Sequence, residues 1–132
     1  MKIIILAAGI GSRLGNPFPK PLTPLKGGKS IMERQMENLS QNFNEHDISV
    51  EVGFKKDLIM ERFSDVTYIY NQYFDTSNTY KSLLKTLQKY KNEDLFWIND
   101  VMIFDAELLP FLKQESEYTK LFISVMTFRV DQ

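Results

Sequence analysis

The chain has 132 residues, no cysteine and a formal net charge of −1. These exclude a disulfide framework, a zinc–thiolate centre and the basic field that draws in nucleic acid, and they fit one domain, residues 1–132, around one core. A hydrophobic fraction of 43% and a charged fraction of 25% are those of an ordinary globular protein. No run of about 18 apolar residues is present to span a bilayer. The opening MKIIILAAG reaches its glycines too early to serve as a secretory signal, so a cytoplasmic protein is expected.

Residues 2–7 form a continuous apolar run of strand length, suited to the buried centre of a parallel sheet. Ser30 and Glu33 have the spacing of a capping box, and the helix they open carries Ile31, Gln35, Leu39 and Phe43 in one stripe, with Met32 and Met36 alongside. Ile48, Val50 and Val52 alternate as a second strand ending at Gly53-Phe54. A short helix is predicted over 57–63 and a third strand over 66–70. Tyr80, Leu83, Leu84, Leu87 and Tyr90 have helical spacing, which predicts a helix over 78–91. Residues 95–98 read as a fourth strand, Asp105 as the cap of a helix shortened by Pro110, and 120–129 as a last strand. Strands alternating with helices predict an α/β fold, a Rossmann-like and mostly parallel sheet with flanking helices. Ligands of such sheets sit at the carboxyl ends of the strands.

The stretch LAAGIGSRLGNPFPKPL follows the first strand, where a site is expected. The dinucleotide fingerprint G-x-G-x-x-G fails, because Leu14 stands at its third glycine. The phosphate loop G-x-x-x-x-G-K-[ST] fails too: Gly28-Lys29-Ser30 supplies its end, but Thr23 stands at its first glycine. What fits is G-x-G-x-R followed by Pro-Lys-Pro-Leu. Gly9 and Gly11 let successive N–H groups point at phosphate oxygens. Arg13 offers a fork of donors to the β- and γ-phosphates, and Lys20, between Pro19 and Pro21, offers a point charge to the α-phosphate or an acceptor phosphate. Asn78 and Ser82, one helical turn apart, can face a base or ribose, although an N-terminal helix position explains Asn78 equally well. His46 reads as a solvated loop residue and Lys55-Lys56-Asp57 as a solvated turn. Trp97 is expected in the core. Tyr68, Tyr70, Tyr73, Phe74 and Tyr80 are expected in core and base-pocket roles.

The loop resembles the signature of sugar-nucleotidyltransferase-like enzymes, and its LAAG start resembles the cytidylyltransferase branch acting on phosphocholine, phosphonates and similar small phosphorylated acceptors. VEVGF, YNQYFDTSNTYKSL and FWINDVMIFD resemble further segments of that family in the same order. The resemblance implies transfer of a nucleoside monophosphate, CMP from CTP, to a small phosphorylated acceptor for surface-polysaccharide or lipid-head-group assembly. It implies nucleotide binding by Leu6, Ala7, Ala8, Gly9, Gly11, Ser12, Arg13, Lys20, Gly53, Asn78 and Ser82. It also implies catalytic roles for Arg13, Lys20 and Asp100, with Asp100 holding Mg²⁺.

Two departures stand out. Asn99 takes the place of the glycine that precedes the metal-binding aspartate in the family. Family members also continue well beyond this length, so the chain is expected to hold the nucleotide half, with the C-terminal half of the family fold missing. A second copy or a complementary chain is then the expected partner, and a catalytically impaired nucleotide-binding or scaffolding remnant is the alternative reading.

Overall fold

The computed structural model describes residues 2–9, 19–75, 81, 84, 88–90 and 95–99. The isoleucine run forms strand β1, Lys2–Ala7. Ile3, Ile4 and Ile5 are all fully buried, so both faces of β1 are covered. Each such side chain contributes roughly 1.5–3 kcal/mol relative to its exposed state. On one side β1 pairs in parallel with β2 (Ile48–Val52), and on the other with β4 (Leu95–Asn99). Strand β3 (Thr67–Tyr70) adds in parallel outside β2, giving the order β3-β2-β1-β4. The sheet is the Rossmann-like α/β sheet that the alternation of elements predicts.

Helix α1 (Ile31–Ser40) starts at the predicted capping box. The Glu33 amide donates to Ser30 Oγ at 3.2 Å, and the Ser30 amide donates to the Glu33 carboxylate at 3.1 Å. Two N–H groups that a helix start leaves without helical acceptors are thereby satisfied. Met32 and Leu39 of α1, and Phe43 just past it, pack with Ile3, Ile5, Val50 and Ile98. Helix α2 (Lys56–Arg62) adds Ile59 to the same cluster, so both crossover helices cover one face. On the other face Ile4, Leu6 and Leu95 pack together, with Tyr90 and the partly buried Trp97 against them. Residues 88 and 89, just before Tyr90, are helical, as the 78–91 pattern predicts.

Several local expectations change. All five residues of β2 are buried, Ser49 and Glu51 included, because neighbouring strands and layers on both faces enclose a strand whose alternation suggests one wet face. Helix α2 begins one residue early, after Lys55 at a left-handed φ of 49°, and β3 begins one residue late. Leu84, placed by its spacing in a helical stripe, is 42% exposed, and Tyr70 and Tyr73 are too exposed for the core. His46 lies exposed in a 3-10 turn, Glu45–Asp47, as expected of a solvated residue. The predicted helix at Asp105 and strand over 120–129 lie outside the described residues.

Polar ties hold the strand ends. Lys2 Nζ donates to Asp47 Oδ1 at 3.0 Å, which holds the Asp47 carboxyl below its ordinary range. Both side chains are partly exposed, so this pair is worth less than about 1 kcal/mol. The Tyr68 hydroxyl, on β3, donates to the carbonyls of Phe63 and Ile59 at the end of α2. Burial pushes its pKa up to about 12 from 10.0. A raised folded-state value means that this hydroxyl's contribution is complete below pH 10.0 and is lost as pH rises through about 12. Tyr68→Phe is expected to cost about 1 kcal/mol at neutral pH, and the gap to wild type to narrow above pH 10, as read by urea denaturation.

Candidate functional site

In this strand order the chain moves from β1 to β2 and β3 on one side, then crosses to β4 on the other. The direction of travel reverses between β1 and β4, and in open parallel sheets that reversal leaves a crevice at the carboxyl ends. The backbone that enters the glycine loop leaves β1 at this point. Ala7 and Ala8 are buried and Gly9 is exposed. A Cβ added at Gly9 would meet nothing within 4 Å, so the missing side chain leaves open space there. Leu6 faces the smaller cluster, with Glu51 of β2 and Asn99 of β4 as its register partners.

Gly53 closes the neighbouring edge of this site. The Phe54 amide donates to the Ala8 carbonyl at 3.3 Å, which ties the end of β2 to the end of β1. A Cβ on Gly53 would lie 2.3 Å from Phe74 Cβ and 3.0 Å from the Ala8 carbonyl oxygen. The glycine therefore admits the Phe74 side chain, a packing reason beside the expected approach of a base. Phe54 and Phe74 meet at 6.4 Å between ring centroids, with Lys55 Nζ 5.5 Å from the Phe54 ring. Lys56 Nζ lies 5.6 Å from the half-exposed Tyr70 ring and pairs with Asp57. A cationic and aromatic rim thus borders the carboxyl ends of β2 and β3.

Lys20 opens a 3-10 turn, Lys20–Leu22, between the buried Pro19 and Pro21. The turn rests on α1, and Leu22 packs on the main core. The proline frame read from Pro-Lys-Pro-Leu is real: the two prolines are anchored while the lysine stays partly exposed. Gly11, Ser12, Arg13, Asn78, Ser82 and Asp100 lie outside the described residues. Among the described residues no three His, Cys, Asp or Glu side chains gather as a metal site. The backbone leading to Asp100 is anchored, however, because Gln35 Nε2 of α1 donates to the Asn99 carbonyl at 2.9 Å. Asp100, the carboxylate expected to hold Mg²⁺, follows this strand end in the sequence.

Gln35 and the Glu51–Asn71 pair are site-edge residues that pattern reading misses. Gln35 lies in a helical stripe that is otherwise apolar, and Glu51 lies in a strand whose alternation suggests solvent. The available signal is polarity at a buried register position. Its meaning depends on a partner far along the chain.

Residues 3–129 match the MobA-like NTP transferase domain. The chain belongs to that family. It is 31% identical over 99% of its length to the bifunctional protein GlmU of Fervidobacterium nodosum, matching 28% of that relative. It is 26% identical over 89% of its length to the CMP-5'-(3-aminopropyl)phosphonate synthase of Streptomyces rubellomurinus, matching 20% of that relative. Among solved structures it is similar to the CTP:phosphocholine cytidylyltransferase of Streptococcus pneumoniae, with a TM-score of 0.61 and 28% identity over 75% of this chain and 44% of that one. The chain thus spans less than half the length of each. Among the described residues no helix is long and apolar enough to cross a membrane.

The two site glycines of this family domain should respond differently to alanine. Gly53→Ala forces Phe74 or the Ala8 carbonyl to move and is expected to cost about 1–3 kcal/mol. Gly9→Ala adds a methyl to open space and should leave thermal stability within about 0.5 kcal/mol of wild type. Thermal melts with and without nucleoside triphosphate check both.

Proposed function

We propose that the chain is the nucleotide-binding part of a nucleotidyltransferase, moving a nucleoside monophosphate onto a small phosphorylated acceptor with release of pyrophosphate. The observation that carries this reading is the exit of the glycine loop from β1 at the reversal of strand order, within a family of NTP transferases. CTP is the favoured donor. The LAAG form of the loop supports it, as do the names of two relatives, a CTP:phosphocholine cytidylyltransferase and a CMP-phosphonate synthase.

The residues divide the work by charge and geometry. Backbone N–H groups at Gly9 and Gly11 hold phosphate oxygens without cost in side-chain entropy. Arg13 binds the β- and γ-phosphates, the part that leaves. Lys20, displayed on its proline frame, neutralises the α-phosphate or the incoming acceptor. Gly53, Asn78 and Ser82 line the base and ribose side, with Leu6, Ala7 and Ala8 as the backbone wall. An oxygen of the acceptor phosphate bonds to the α-phosphorus, the bond from that phosphorus to the bridging oxygen breaks, and pyrophosphate departs with the electron pair. Positioning and charge stabilisation suffice for such an in-line displacement, and no covalent nucleophile is required. Asp100 would hold Mg²⁺, which supplies charge neutralisation on the phosphates when bound.

The second reading is nucleotide binding without turnover, and the observation favouring it is Asn99 in place of a more permissive glycine before Asp100. Pyrophosphate release with CTP, magnesium and phosphocholine, a phosphonate or a sugar phosphate as acceptor separates the two. Release above the acceptor-free rate supports transfer; binding with no release under any acceptor supports the second reading.

Arg13→Ala is expected to weaken CTP by about 1.5–3 kcal/mol, the range for a lost charge-assisted bond, and to leave CMP nearly unchanged. Calorimetry with both nucleotides measures this, and equal losses would remove Arg13 from the pyrophosphate role. In competition CTP should displace UTP, ATP and dTTP; tighter UTP binding would reassign the base.

A further inference from the structure

Glu51 is a fully buried carboxylate in the middle of the sheet, and the chemistry proposed above makes no use of it. It lies on β2 beside Leu6 of β1 and Ile69 of β3. Asn71, 2% exposed, directly follows β3 and donates from Nδ2 to Glu51 Oε1 at 3.1 Å. The same asparagine accepts from the Tyr73 amide at its Oδ1, 3.0 Å, and donates its own amide to the Val52 carbonyl at 2.8 Å. One side chain thus joins a strand carboxylate to the first turn after β3. That turn delivers Phe74 onto Gly53.

We infer that Glu51, through its buried bond to Asn71, is a positioning residue that sets the segment after β3 against the end of β2 and thereby fixes the base side of the nucleotide site. The inference rests on the nucleotidyltransferase reading above. Three features lead to it. Taking a polar side chain out of water costs free energy that its hydrogen bonds offset only in part, a cost an apolar side chain of similar size does not carry. Its place here therefore calls for a role other than stability. The bond acts at the correct end of the sheet, since Gly53 and the turn after Asn71 both lie at the carboxyl ends of β2 and β3. Its bond to Asn71 also reaches the β3 side of the site. Strand β1, which leads into the glycine loop, lies on the other side of β2 from β3.

That asymmetry supplies a readout that a purely structural role would not move. Binding of CTP and of inorganic tripolyphosphate to the full chain, each with magnesium chloride, is measured by calorimetry for wild type, Glu51→Leu and Glu51→Gln. Glu51→Leu is expected to weaken CTP by about tenfold, on the scale of one lost hydrogen bond, with tripolyphosphate within about twofold of wild type. Glu51→Gln keeps an acceptor oxygen for Asn71 and should restore CTP binding. The Tyr73 amide should exchange with solvent faster in Glu51→Leu and not in Glu51→Gln. If Glu51→Leu does not fold, Asn71→Ala removes the same bond from the other end and carries the same expectation. CTP binding unchanged in the variant, or parallel losses for CTP and tripolyphosphate, overturns the inference while leaving the nucleotide reading intact. A wild-type chain that binds neither ligand overturns the nucleotide reading itself, and the positioning role with it.

Discussion

Burial of β1 on both faces is the constraint from which the rest of the architecture follows. Three consecutive isoleucines without exposure cannot lie on a sheet with one wet side. They require strands on both flanks and packed layers above and below, and parallel partners require long crossovers to reach them. Helices α1 and α2 supply one layer, and the segment around Tyr90 contributes to the other. Once β1 is interior and the order runs β3-β2-β1-β4, the chain's direction must reverse at its edge with β4. The reversal of strand order beside β1 is a consequence of covering those isoleucines.

The apolar layers do not determine where the strand ends point. That task falls to side-chain bonds that link β2, β3 and β4 to other elements: Gln35 to the Asn99 carbonyl, Asn71 to Glu51, Ser49 Oγ to the Tyr90 hydroxyl at 2.7 Å, and Tyr68 to the end of α2. Each is worth only about 0.5–1.5 kcal/mol net, but leaving a buried partner unsatisfied costs more than making the bond gains. Such bonds therefore select one arrangement more strongly than they stabilise it. Two of them, at Asn99 and Asn71, lie at carboxyl ends of strands, the end at which open parallel sheets take their ligands. The pair at the opposite end, Lys2 with Asp47, is partly exposed and correspondingly weak.

Features carried by neighbouring residues were legible in the sequence. β1 is a continuous apolar run, and α1 announces itself through Ser30 and Glu33 and a four-residue stripe; both stand where the pattern places them. The proline frame around Lys20 and the order of elements were equally readable. What escaped depends on distant partners. The burial of Ser49 and Glu51 follows from strands on both sides of β2, which alternation within β2 cannot express. The bonds of Gln35 and Asn71 reach across 64 and 20 residues. Leu84 has the spacing of a core residue and remains exposed, because spacing defines a stripe without saying how far the covering layer extends. Gly53 was named through the family resemblance as a nucleotide-binding residue, but the Phe74 side chain packed against it was not legible. Of the candidate site, Leu6, Ala7, Ala8, Gly9, Lys20 and Gly53 stand among the described residues, and the first four with Gly53 gather at adjoining strand ends.

The division of the site between rigid and displayed groups bears on how transfer chemistry would proceed. A reaction without a covalent nucleophile relies on holding charges and reacting atoms in place before the barrier is reached, so flexibility in the groups that hold them reduces its rate directly. Ala7 and Ala8 inherit their placement from the most buried strand, and Gly9 extends from it into open space. Lys20 has a long side chain with many rotamers, yet Pro19 and Pro21 restrict its backbone and are themselves buried. The backbone is thus set while the ammonium retains reach. That combination suits the role proposed for Lys20 at the α-phosphate or the acceptor phosphate. The role proposed for the glycine loop, holding one fixed phosphate, is by contrast suited to backbone N–H groups.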